Sequence, residues 1–87
     1  MYYLEWNENS IKGLDGYDGC VVLFTEVSET GVVQKELGFD GQGNECYRFP
    51  SKTNKRGIFD NQFVDVTQLQ SDLSKELFVE MWNKASL

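Results

Sequence analysis

The chain carries fourteen carboxylates, two cysteines and no histidine in 87 residues. Without histidine there is no Ser-His or Cys-His pair to make a nucleophile, no ordinary general base near neutral pH and no catalytic zinc site of the usual kind. Two cysteines are too few for a structural zinc site. What remains for catalysis is a carboxylate pair, or a lysine or tyrosine tuned by burial. Fourteen carboxylates make close pairs by chance, so none stands out, and neither an enzyme nor a cofactor is expected.

Two stretches come near a ligand motif and miss it. Asp40-Gly-Gln-Gly-Asn-Glu45 resembles the start of a calcium loop, in which alternate oxygens face the ion. Gln42 stands where an acid is usual, position six is Glu45 instead of glycine, and position twelve is Ser51 instead of a bidentate glutamate. A hairpin turn is the expected reading. The glycines Gly13, Gly16 and Gly19 match neither phosphate-loop spacing and have acids beside them.

Charge is the stronger signal. Residues 1–47 sum to −7, residues 48–56 to +4 and residues 57–87 to −3. An acidic surface repels nucleic acid and anionic membranes and attracts basic surfaces over about one Debye length, ~8 Å at physiological salt. A basic protein is therefore the expected partner class. The cluster Lys52, Lys55, Arg56, with Arg48 nearby, gives only a weak, salt-sensitive hold on phosphates and reads as a solvated loop. The long segment after the first strand holds Glu8, Asp15, Tyr17 and Asp18 among glycines. Acids steer a basic partner, and a tyrosine is a common interface anchor. Glu8, Asp15, Tyr17 and Asp18 are the candidate partner-binding residues, with an exposed sheet face around Glu26 and Glu36 as the second choice.

The elements that would position these residues follow from periodicity. Apolar residues make up 40% of the chain and aromatics 14%, enough for a folded core, and the length suits one small domain spanning residues 1–87. Tyr2 to Trp6 alternates as a half-buried strand. Cys20 to Val27 is β-branched and aromatic, and Ser28-Glu-Thr-Gly31 is a turn leading to a third strand, Val32 to Phe39. Glu45 to Phe49 completes a meander, with Glu45, Tyr47 and Phe49 on one face and Cys46 and Arg48 on the other. Pro50 and the polar run to Gly57 interrupt the sheet. Ile58 to Val66 reads as an edge strand or extended connection, and Thr67 to Leu73 as a possible helical turn. Ser74 caps a final amphipathic helix whose stripe is Leu77, Phe78, Met81, Trp82 and Ala85, with Leu73 and Phe78 spaced for a hydrophobic staple. The predicted fold class is α+β, an antiparallel sheet of four to five strands with the helix packed on one face. Cys20 and Cys46 are expected to be buried thiols and not a disulfide. No run is long and apolar enough for a membrane span, and the N-terminus lacks a signal-peptide pattern, so a cytoplasmic chain starting at Met1 is expected.

Four stretches resemble a family of small bacterial proteins encoded near contact-dependent inhibition and other polymorphic toxins and regarded as immunity proteins. They are Tyr3-Leu-Glu-Trp6, Val21-Val-Leu-Phe-Thr-Glu26, Lys35-Glu-Leu-Gly-Phe-Asp-Gly41 and Leu73-Ser-Lys-Glu-Leu-Phe-Val-Glu-Met-Trp82. The resemblance extends over nearly the whole chain and rests on core and turn residues, so it transfers no binding residue. It implies an antiparallel sheet with a C-terminal helix, and inactivation of one cognate toxin by tight binding. Toxins of this kind are often basic nucleases, which an acidic surface suits. The same charge would also suit a phage-encoded, nucleic-acid-mimicking inhibitor of a bacterial defence nuclease.

Overall fold

Alternating apolar residues, broken by glycine-bearing turns, fold into four consecutive antiparallel strands. These are β1 (Tyr2–Asn7), β2 (Val22–Val27), β3 (Val33–Phe39) and β4 (Glu45–Phe49), in the spatial order β1-β2-β3-β4. A C-terminal helix, α1 (Lys75–Lys84), completes an α+β fold among the described residues. The computed structural model describes residues 1–8, 19–50, 64 and 72–84. The predicted segments 51–57, 58–63 and 65–71, together with Ala85, lie outside these residues. No helix among the described residues is long and apolar enough to cross a membrane.

The turns fix the register. Between β2 and β3 the Ser28 carbonyl accepts from the Gly31 amide and the Val32 carbonyl accepts from the Ser28 amide. Gly31 has φ +91°, and a Cβ there would stand 2.2 Å from the Val64 carbonyl oxygen, so only glycine fits. Between β3 and β4 the Asp40 carboxylate accepts from the backbone amides of Gln42 and Asn44, at 2.9 and 3.0 Å. The residue that opens the calcium-like sequence thus spends an oxygen closing its own turn.

The helix begins as the sequence suggests. Ser74 Oγ accepts from the Leu77 amide at 3.0 Å, and Leu73 and Phe78 share one core cluster. That cluster also contains Tyr3, Phe24, Leu37 and Phe39, with Met81 and Trp82 packed against it. The buried stripe is narrower than the predicted one. Leu77 and Val79 flank Phe78 by about 100° of helix rotation each, and they are 41% and 42% exposed while Phe78 is 1% exposed. Trp82 is half-buried; its ring stacks on Phe78 at 6.0 Å and carries Arg48 at 3.9 Å and Lys35 at 5.0 Å.

The centre of the sheet's opposite face is also buried. Leu4, Leu23, Thr25, Val27 and Glu36 are all at most 4% exposed. Thr25 and Glu36 are cross-strand partners on this face, and Trp6 Nε1 donates to Thr25 Oγ1 at 2.9 Å. Glu26 and Glu36, the second choice for an interface, therefore do not form one exposed sheet face. Glu36 is 1% exposed, and Glu26, opposite Tyr3, belongs to the helix-bearing face. Period-two alternation puts the two on opposite sides of the sheet.

Candidate functional site

Four acidic residues, Glu5, Glu26, Asp72 and Glu76, come near the start of α1 through backbone and hydroxyl contacts. The start of α1 is fastened to the free edge of β1 by two hydrogen bonds. The Leu73 amide donates to the Tyr3 carbonyl at 3.1 Å, and the Glu5 amide donates to Asp72 Oδ1 at 2.9 Å. Those bonds satisfy outward-facing groups of an edge strand that would otherwise invite another chain. They also bring Glu5 of β1 beside Asp72, one turn before Glu76 of α1. All three are exposed.

Tyr3 lies at the centre. Its ring packs on Phe78 with centroids 5.4 Å apart, and its hydroxyl donates to Glu26 Oε2 at 3.0 Å. The hydroxyl is harder to ionise than an ordinary tyrosine. Burial is the largest cause, followed by the hydrogen bond to Glu26 and the negative charges of Glu26 and Glu76. Glu26 of β2 and, to a smaller degree, Glu76 of α1 thus act on the same hydroxyl.

The other end of the helix has the opposite character. Arg48 of β4 and Lys35 of β3 lie over Trp82, and Lys84 pairs with Glu80 one turn earlier at 2.9 Å. Since Phe78 meets β1 and Trp82 meets cations of β3 and β4, α1 crosses the sheet from the β1 edge toward β4. Acids at its start and bases at its end complement the helix dipole, and they give this face a negative and a positive end.

Of the four residues expected to bind a partner, Glu8 is exposed and follows β1 directly, three residues beyond Glu5. Asp15, Tyr17 and Asp18 lie outside the described residues. Sequence reasoning overlooked Glu5, Asp72 and Glu76 as a group. Glu5 reads as the polar side of a strand and Glu76 as a helix-dipole partner; only the docking of residue 73 onto residue 3 unites them. The lone usable signal was Leu73 as a staple residue, which says where the helix start is buried but not against which strand.

No protein-family model, no curated protein and no solved structure matches the chain.

Proposed function

We propose that this chain is an immunity protein that binds and neutralises a cognate, basic, nuclease-type toxin domain in the bacterial cytoplasm. The observation that carries the reading is the exposed acidic rim of Glu5, Asp72 and Glu76 at the start of α1, continued along the chain by Glu8. Among the described residues the central side chains of both sheet faces are buried, while these acids stand exposed at the rim. Carboxylates on such a rim stand in for phosphates and occupy the basic site a nuclease uses for its substrate. Asp15, Tyr17 and Asp18, in the segment that follows Glu8, extend the contact, with Tyr17 as the anchor. The chain needs no cofactor for this role and acts by occupancy alone.

The test is protection. The toxin domain encoded beside this chain's gene should arrest growth when expressed alone, and co-expression of this chain should restore it. If the toxin kills equally with and without the chain, or if the neighbouring genes encode no toxin, the reading fails.

A further inference from the structure

Two thiols that play no part in the acidic rim lie in contact. Cys20 Sγ and Cys46 Sγ are 3.0 Å apart, and no disulfide joins them. Strict alternation along β4 would send Cys46 to the helix-bearing face with Arg48, away from Tyr47. Instead it packs in the second cluster with Cys20, Leu23 and Tyr47. The reason is a bulge: Gly38 pairs with Tyr47 and Phe39 pairs with Glu45, so Cys46 is an extra residue on β4 and alternation breaks there.

Gly38 of β3 supplies the other half of the arrangement. A Cβ at this position would stand 2.7 Å from Cys20 Sγ and 3.1 Å from Tyr47 Cβ. The bare backbone of β3 lets the sulfur that precedes β2 pass over it and reach β4. A bulge and a glycine together bring residues 26 positions apart in sequence into contact across an intervening strand.

We propose that Cys20 and Cys46 form a redox-responsive dithiol, oxidised by a low-molecular-weight disulfide to a bond that ties the start of β2 to β4 across β3. A disulfide has an S–S length of about 2.05 Å, so the sulfurs need approach by only about 1 Å. Cys46 is half-buried and Cys20 is 1% exposed, which sets the order of events. The Cys46 thiolate attacks one sulfur of R–S–S–R, forming a mixed disulfide and releasing RS⁻. Cys20, as thiolate, then attacks Cys46 Sγ and displaces the second RS⁻. The two protein thiols lose two electrons and two protons, and R–S–S–R becomes two RSH. The new bond constrains the unfolded chain and fastens the terminal strand of the meander, and excess thiol reverses it.

The experiment exposes the folded, reduced, full-length protein to oxidised glutathione and follows intact mass and thermal unfolding. The expected product is a monomer two hydrogens lighter, with residues 20 and 46 in one linked peptide pair. Its Tm is at least about 5 °C higher, and dithiothreitol restores the starting state. Cys20→Ser should stop at the glutathione adduct on Cys46, and Cys46→Ser should not react while folded. The proposal is overturned if the parent also stops at the adduct, forms linked dimers, or reacts only in denaturant.

Discussion

Tyr3 shows how one side chain can serve core and rim at once. Its ring fills the space over Phe78 while its hydroxyl meets Glu26, and burial together with two acids favours the neutral phenol. Because its pKa in the folded state is raised above the ordinary value of 10.0, the folded protein holds this proton more tightly than the unfolded chain does. The associated stability is complete below pH 10 and is lost as pH rises through the folded-state pKa. Tyr3→Phe should therefore unfold with a weaker alkaline dependence than the parent. The difference in Tm between the two should shift in favour of the variant above about pH 10; parallel pH profiles would show that burial and the neighbouring acids do not raise the pKa of this hydroxyl. Gly38 gives a second residue-scale expectation. Gly38→Ala should cost about 1–3 kcal/mol in chemical denaturation, as overpacking does. Adding Cys20→Ala should recover part of that loss by removing the sulfur the methyl group strikes. At this scale the sequence hid more than it revealed. Nothing in Glu45 to Phe49 marks Cys46 as a bulge, because the extra residue is defined only by the partner strand.

At the scale of elements the sequence was far more open. Alternation and turn residues delimit β4 without error and β1 to within a residue, since they are local signals that act before any tertiary contact. The start of β2 was less legible: Cys20 and Val21 have strand-like side chains but precede the ladder, and Val21 joins it only through a hydrogen bond to Phe39. The helix start at Ser74 was legible for a physical reason, as capping and stapling are both written in nearest neighbours. Leu77 was misplaced because a single extra apolar residue next to Phe78 widens the apparent stripe, and only the sheet decides which flank it covers. Removing the cap with Ser74→Ala should destabilise the protein by about 1 kcal/mol. Phe78→Ala should cost about 3–5 kcal/mol. For a domain of this size the second value approaches the whole stability of ~5 kcal/mol or somewhat more, so that variant should show no cooperative thermal transition at 37 °C or above. A Phe78→Ala protein that melts like the parent would mean that α1 does not hold the sheet's first face. Deletion from Leu77 to Leu87 should have the same consequence as Phe78→Ala.

For the whole molecule, the docking of Leu73 on Tyr3 makes an acidic rim out of residues separated by most of the chain. Charge totals along the sequence point to a basic partner but do not say which acids reach the surface. Glu36 counts toward the negative N-terminal half and is sealed in the interior, whereas Asp72 and Glu76 belong to a less acidic segment and stand at the surface. Surface charge acts on encounter, so the rim should govern association rate more than residence time, while an anchor such as Tyr17 should govern dissociation. The most direct measurement is the association rate constant with the basic toxin domain that the proposed function requires. It should be taken across ionic strength for the parent and for a variant carrying Glu5→Gln, Glu8→Gln, Asp72→Asn and Glu76→Gln, with Tm as the control for folding. Asp72→Asn keeps the oxygen that accepts from the Glu5 amide, so the helix start should remain docked. The parent rate should fall by about tenfold or more between low and physiological salt. The variant should associate more slowly at low salt, and its rate should depend far less on salt. A parent rate that does not change with salt, or a folded variant that associates as fast as the parent, would contradict capture of a basic partner through the acidic rim.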